Sequence, residues 1–299
     1  VAPDGRYWVA FSEVVVSFAP DGSDPHSYFE REAGFLTVRA ARDGTIWCGG
    51  FNTGTYHLDP RTGTHEFFSS VVDQPVHDCV YDIYEDWNGD IWIGGLNFQL
   101  TCMHQLADKS FTKQHYPITF INSISQLDER NLIVCTTDGF KLLDIRTGQI
   151  TDYLNDEEKF KGTNFVFDSR TRNGNEIWLA TAGAGLVCYD LSNDSIAAYG
   201  INEGLPSLEL RGMSMVNDSI LYVSTENNGL FAFDCVRRCY LRCLMTSDGL
   251  PMNEFLQNSS TLSPDGHLLF GGNNGVVVLK ESDIQSHLNE FQIFIDTKG

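Results

Sequence analysis

The chain has 299 residues, 40 acidic and 20 basic, for a formal charge of −20 at pH 7. That balance argues against nucleic acid or an anionic membrane surface as partner, although acidity by itself only keeps a protein soluble. A hydrophobic content of 42% belongs to a chain that buries a core, as one large domain or two ordinary ones, and not to a disordered one. The first segment, VAPDGRYWVAF (1–11), starts on a turn and a strand. It lacks the basic, apolar and cleavage regions of a signal peptide. The sequence therefore reads either as cytoplasmic or, as the direct start on a strand favours, as the mature portion of something longer. No apolar run nears the ~20 residues that a bilayer span needs.

From there the chain repeats itself. DGRYWVAF (4–11) returns as DGTIWCGG (43–50), NGDIWIGG (88–95), ERNLIVCTT (129–137), GNEIWLATA (174–182), NDSILYVSTE (217–226) and DGHLLFGGN (265–273). With Trp8, Trp47, Trp92, Ile133, Trp178, Tyr222 and Leu269 taken as equivalent, successive copies lie 39 to 47 residues apart, the period of four-stranded propeller blades. Each copy is expected to hold a short polar strand, a turn rich in Asp, Asn and Gly, and then the Trp strand. A glycine-bearing loop leads to a third strand, as in GLVCYDL (185–191), GLFAFDC (229–235) and GVVVLK (275–280). A variable fourth strand follows, such as HEFFS (65–69) or SIAAYG (195–200). Asp-Gly and Asn-Gly between apolar runs are hairpin turns, because the central residues must reach positive φ. The Trp strands are apolar on both faces, as strands covered on both sides must be. INSISQL (121–127), GMSMV (212–216) and NSSTL (258–262) carry the small polar side chains expected of innermost strands. The fold class predicted is all-β: a seven-bladed β-propeller of four-stranded antiparallel blades over 1–290. Residues 291–299, FQIFIDTKG, are left as the last blade's outer strand, a closing strand, or the lead into a following domain.

The repeat decides how DWNGDIWIGG (86–95) reads. Asp86, Asn88 and Asp90 alternate like the first ligands of a calcium loop, but the sixth position is Ile91 and the twelfth Asn97, where such a loop needs Gly and Glu. Six other copies keep the turn without those ligands, so a hairpin is expected and no metal. Cysteine is equally plain. Cys48, Cys79, Cys102, Cys135 and Cys188 sit singly within apolar runs and read as small core residues. Cys235 and Cys239 flank a hairpin and leave a disulfide open, whereas Cys239 and Cys243, four apart on one strand, are about 13 Å apart and too far to bond.

DGTIWCGG…GTYHLD, NGDIWIGG and NEIWLATAGAGLVCYD resemble the two-component regulator propeller repeat. NEGLPSLEL (202–210) and DGLPMNEF (248–255) resemble the connection between its blades, and LSPDGHLLFGGNNGVVVL (262–279) its variant last repeat. The resemblance implies the periplasmic sensor region of a Bacteroides-type hybrid two-component histidine kinase responding to oligosaccharides. It further implies a second propeller, an immunoglobulin-like domain, a transmembrane helix and a kinase, and this chain holds one propeller's worth of repeats.

Enzyme signatures are weak beside this. RDGTIW (42–47) is similar to the sialidase Asp-box, but Asp43 and Gly44 are adjacent where the box separates them. The three carboxylate-gripping arginines of a sialidase have no counterpart here. LDPRTGTHEFF (58–68) and LDIRTGQI (143–150) are similar to quinoprotein repeats without the docking Trp, and read as turns whose glycine takes positive φ. Streptogramin lyases share this kind of propeller and use a His, but only His77 falls where an inner strand should begin, and a base needs an orienting partner. No catalytic residue and no cofactor is expected. What remains is a binding surface. Loops joining second to third strands and blade to blade place Asn52, Asn97, Phe98, Asp138, Asn227, Asn228, Asn273 and Asn274 on one face, with Arg211, Asn253 and Glu254 near the start of inner strands. Amides donate and accept toward sugar hydroxyls and an aromatic stacks on a sugar face, while Asn and Gly are also what turns require. The expected partners are an oligosaccharide and a homodimer mate or neighbouring propeller. The alternatives are a lyase or hydrolase on the same scaffold, and a protein-interaction platform.

Overall fold

A computed structural model describes residues 1–30, 34–51, 54–68, 79–153 and 165–280, together with the backbone of 292–294. The fold is a seven-bladed β-propeller; among the described residues there are seven antiparallel sheets, six of four strands and the first of three. The first sheet contains β1 (Tyr7–Phe11), β2 (Val14–Phe18) and β3 (His26–Tyr28); the second β4 (Gly34–Ala40), β5 (Ile46–Phe51), β6 (Thr55–Asp59) and β7 (Thr64–Phe68). The third contains β8 (Val80–Glu85), β9 (Ile91–Gly95), β10 (Leu100–Gln105) and β11 (Phe111–Tyr116); the fourth β12 (Ile121–Gln126), β13 (Asn131–Thr136), β14 (Phe140–Asp144) and β15 (Ile150–Tyr153). The fifth has β16 (Val166–Arg172), β17 (Glu176–Thr181), β18 (Leu186–Asp190) and β19 (Ser195–Tyr199). The sixth has β20 (Leu210–Val216), β21 (Ile220–Thr225), β22 (Leu230–Asp234) and β23 (Cys239–Leu244); the seventh β24 (Phe255–Leu262), β25 (His267–Gly272), β26 (Gly275–Lys280) and β27 (Gln292–Phe294). Neighbours in sequence are neighbours in each sheet. The chain forms two compact units, Val1–Thr136 with Leu143–Gln149, and Thr137–Leu142 with Ile150–Gly299.

The Trp strand is the second of its sheet, as the repeat requires, except in the first sheet. There residues Val1–Arg6 form the turn leading into β1, and the Trp8 strand comes first, paired to β2 through Trp8↔Ser17. The backbone of 292–294 pairs with β26 through Val277↔Ile293, making it the outer strand of the seventh sheet. Trp47, Trp92 and Trp178 are fully buried and their strands are covered on both faces. This is why those strands are apolar throughout and do not alternate.

The turn at 86–90 is a hairpin. Asp86 is fully buried: Oδ1 accepts the backbone N–H groups of Asn88 at 2.8 Å and Asp90 at 3.1 Å, and Oδ2 accepts the Trp92 indole N–H at 2.9 Å. Gly89 supplies the positive φ, 95°. The Asp-x-x-Thr-Gly segments are turns too, with Gly63 and Gly148 both at φ 74°. The Gly-Leu-Pro connections fold as single 3-10 turns, Ile201–Glu203 and Thr246–Asp248, closed by Gly204 and Gly249 in the left-handed region. The leucine that follows, Leu205 or Leu250, is buried in a core of the second unit. All eight cysteines are free, with Cys48, Cys79, Cys102, Cys135, Cys188 and Cys235 buried and Cys239 exposed. The Cys235–Cys239 bridge is therefore not formed.

Candidate functional site

Six first strands carry the same irregularity. The pairing of first to second strand shifts at Phe35/Thr37, Val80/Asp82, Ile121/Ser123, Val166/Asp168, Leu210/Gly212 and, over a longer stretch, Phe255/Ser260. A bulge leaves one residue out of the ladder and re-aims its side chain, a device common beside binding sites. In the second unit the residues so released include Phe167, Arg211 and Leu256. The Arg211 guanidinium lies 4.7 Å from the Phe167 ring centre, and Phe167 packs against Phe165 at 4.9 Å. Arg211 also pairs with Glu226 on the loop after β21, at 2.7 Å.

That loop and its neighbours are stitched by backbone bonds. Ala182 N–H donates to the Phe165 carbonyl at 3.0 Å and Glu226 N–H to the Glu209 carbonyl at 3.0 Å, each joining the end of a second strand to the start of its own first strand. Gly185 N–H reaches the Leu208 carbonyl at 3.2 Å and Gly229 N–H the Asn253 carbonyl at 3.0 Å, joining one blade to the next. Thr181 and Thr225 brace the loops from within, each hydroxyl donating to a glycine carbonyl four residues on. The result is a hydrogen-bonded backbone platform in the second unit that carries Arg211, Phe165 and Glu226.

The sequence-predicted residues divide on this platform. Arg211 is within it. Glu254 and Asn273 are brought together, Asn273 Nδ2 donating to Glu254 Oε2 at 2.7 Å, and both are exposed. Asn227 and Asn274 are exposed on the loops after β21 and β25. Asn228 donates its N–H to Thr225 Oγ1 at 2.8 Å and accepts the Cys243 thiol on its carbonyl, and Asn253 is spent on Thr246, whose N–H and hydroxyl take both ends of its amide. These two hold loops in place. Asp138 is exposed on the loop after β13. In the first unit Asn97 accepts the Cys79 N–H at 3.1 Å, tying the loop after β9 to the start of β8. Phe98 is 5% exposed and packs in a core with Ile93 and Met103, so the open stacking surface expected of it is not there; its neighbours bury it because Gly95 leaves room beside its ring. Asn52 and His77 lie outside the described residues.

Sequence reading missed Phe165, Phe167, Glu226 and the carboxylates of the first strands. Asp168 is buried, accepting Ser169 N–H at 2.8 Å, Met213 N–H at 2.8 Å and the Arg170 guanidinium at 2.6 Å. Burial pushes its carboxyl above the usual range against the pull of Arg170 and the two N–H groups. Asp82 does the same work in the first unit, accepting Ile124 N–H at 2.7 Å. The signal was in the sequence: VYD (80–82) and VFD (166–168) are the same motif at the same place in two repeats. Among the described histidines, half-buried His57 stacks on Trp47 at 4.2 Å, and burial pushes its pKa down against the pull of Asp43, Glu66 and Asp59. Among the described residues no three His, Cys, Asp or Glu side chains converge as a metal site would require.

No family model and no curated protein matches the chain. Solved structures do. Over 96% of its length the chain superposes on the extracellular domain of BT3049 from Bacteroides thetaiotaomicron, described as a hybrid two-component system, with a TM-score of 0.81 and 22% identity, covering 39% of that chain. The extracellular domain of BT4673 from the same organism, described in one structure as a one-component and in another as a hybrid two-component system, gives TM-scores of 0.57 and 0.54 at 14% and 15% identity, covering 98% and 97% of this chain and 47% of that one. The chain thus spans less than half of each of these structures. At such identities the likeness shows the fold.

Proposed function

We propose that this chain is part of the extracytoplasmic, periplasmic sensor region of a two-component signalling protein and that it binds, or relays, a glycan-derived signal without catalysing a reaction. The observation that carries the reading is the superposition on an extracellular domain of a hybrid two-component system over nearly the whole chain. Among the described residues no helix is long and apolar enough to cross a membrane, as a soluble sensor portion would require. The platform of the second unit supports a ligand of the sugar class. Arg211 and Glu226 offer donors and acceptors, Phe165 an aromatic edge, and the Glu254–Asn273 pair hydroxyl-matching groups on neighbouring loops. Sensing needs differential affinity: a ligand favouring one arrangement of neighbouring propellers or subunits shifts the population by that difference and no more.

Calorimetry of the intact sensor region against a panel of oligosaccharides tests this. Saturable binding that Arg211→Ala weakens about tenfold or more, the ~1.4 kcal/mol of one good charge-assisted contact, is the expected result. No binding to any glycan at saturating concentration would end the sensing assignment. A transmembrane segment and a kinase encoded downstream in the same reading frame would support it independently.

A further inference from the structure

Beside the indoles of Trp47, Trp92 and Trp178 lie residues from, or next to, the turn between the third and fourth strands of the following blade. Within the second unit, Arg238 occupies the groove of the fifth blade. Its guanidinium stacks 4.9 Å from the Trp178 ring centre, pairs with Glu176 at 2.6 Å and donates to the Cys188 sulfur at 3.0 Å. Tyr199 stacks on the same indole. Arg238 does this from the left-handed position of its turn, φ 58°. In the first unit Phe111 fills the corresponding groove of the second blade, edge-on to Trp47 at 5.3 Å.

The third blade repeats the receptor of the fifth residue for residue. Trp92 corresponds to Trp178, Asp90 to Glu176 and Tyr116 to Tyr199; Cys102 pairs with Trp92 as Cys188 pairs with Trp178. The next turn has the same backbone too. Asp144 accepts the N–H groups of Arg146 and Thr147 as Asp234 accepts those of Val236 and Arg237, and four residues on each chain takes positive φ. At that position the fourth blade has Gly148 where the sixth has Arg238. A Cβ on Gly148 would meet only the Tyr116 ring, at 3.7 Å. The guanidinium is missing, and a cleft of about 400 Å³ remains, lined by Asp90, Trp92, Cys102, His104 and Tyr116, with Lys113 and Arg146 also on its wall. His104 holds Asp90 at 2.6 Å in place of the absent cation.

We propose that this cleft is a binding site for a small guanidinium-bearing zwitterion, an arginine-like amino acid. The ligand's planar cation would take at Asp90 the place Arg238 takes at Glu176, displacing His104, and its carboxylate would meet Arg146. The site lies within the first unit and does not rest on the sensing assignment.

Titration of the intact chain with L-arginine, agmatine and L-citrulline, followed by calorimetry and tryptophan fluorescence, tests it. Expected is saturable binding of arginine, weaker binding of agmatine, which lacks the carboxylate, and at least a tenfold loss with citrulline, which lacks the charge. Asp90→Asn should weaken both cations about tenfold or more; Arg146→Ala should lower arginine to the level of agmatine and leave agmatine unchanged. Gly148→Arg restores the internal occupant and should abolish binding of all three with the circular dichroism spectrum and urea midpoint preserved. No saturable binding of arginine overturns the proposal, as does citrulline binding equal to arginine, or affinity unchanged in Asp90→Asn or in a folded Gly148→Arg chain. A rise in arginine affinity on removing Arg146 overturns the assigned orientation and makes Arg146 the groove's own occupant.

Discussion

Replacing Asp86 by Ala tests whether the 86–90 hairpin is held by its buried carboxylate. Three donors converge on that group, two from the turn backbone and one from the Trp92 indole, and neither Asp86 nor Trp92 is more than 1% exposed. The variant leaves the indole N–H without a partner where water cannot reach it, which costs about 1–3 kcal/mol. Losing two charge-assisted bonds to partly buried turn N–H groups adds roughly 1–2 kcal/mol, for a sum of about 2–5 kcal/mol. That is a large share of a stability of ~5–15 kcal/mol. Asp43 provides the internal control. It lies in the equivalent turn one blade earlier, at the position of Asn88 (Ala41 stands where Asp86 does), is exposed, and accepts the Thr45 N–H at 2.8 Å and hydroxyl at 2.7 Å, so its removal should cost about 1 kcal/mol. Urea unfolding, followed by tryptophan fluorescence, should order the midpoints wild type, Asp43→Ala, Asp86→Asn, Asp86→Ala, the Asn variant keeping one acceptor. An Asp86→Ala chain no less stable than Asp43→Ala would refute the reasoning, because a buried acceptor that also holds the Trp92 indole must count for more than an exposed one that holds Thr45 alone.

The other expected outcomes are these. Asp168 titrates above the usual carboxylate range in the folded chain, so the folded state binds its proton more tightly than the unfolded state does. Its contribution is therefore greatest below about pH 4 and is lost as pH rises through the folded-state value; stability measured from pH 4 to 8 should show a downward component that Asp168→Asn lacks. Ellman's reagent should react rapidly with a single thiol of the native protein, that of Cys239, and with all eight after denaturation, and Cys239→Ser should remove the fast phase. A Cβ at Gly95 would overlap the Cys79 carbonyl, whereas one at Gly174 meets open space and only a strained φ of 67°. Gly95→Ala should thus cost several kcal/mol and Gly174→Ala about 1–2, read from the same urea curves.

The blade count, the order of strands and the hairpin at 86–90 were legible because they answer to rules with short range: a turn needs its Gly and Asp, and a twice-covered strand needs apolar residues throughout. The site was less legible because its residues are defined by pairing register, which no single repeat displays. Phe98 looks like a loop aromatic in sequence and is a core residue in three dimensions, since Gly95 opens the space it fills. Asn253 looks like a sugar-binding amide and is occupied by Thr246, a partner seven residues away that only the 3-10 turn brings near. Phe167 was hidden for the opposite reason: it follows an ordinary apolar strand residue, and the bulge alone turns it out of the ladder.

Those bulges also separate what the fold asks for from what it leaves free. The residues flanking them answer to the fold: Phe35, Val80, Ile121, Val166, Leu210 and Phe255 before each bulge are all apolar and buried. The released residues share nothing. Leu36 and Leu256 are 48% exposed, Asn122 and Phe167 are buried, and Arg211 is drawn to Glu226. A position that mattered only to propeller geometry would converge, as its neighbour does, on one kind of side chain. The six equivalent positions carry Leu, Tyr, Asn, Phe, Arg and Leu, so the propeller geometry does not fix the side chain there as it fixes the residue before it. The consequence is directional. Exchanging Leu36 for Ser should leave the urea midpoint within about 0.5 kcal/mol of wild type, since an exposed leucine contributes little to the core, while Val80→Ser should cost about 2–4 kcal/mol by burying an unmatched hydroxyl in place of packed methyls. Equal costs at the two positions would mean that the bulge residues serve the fold after all.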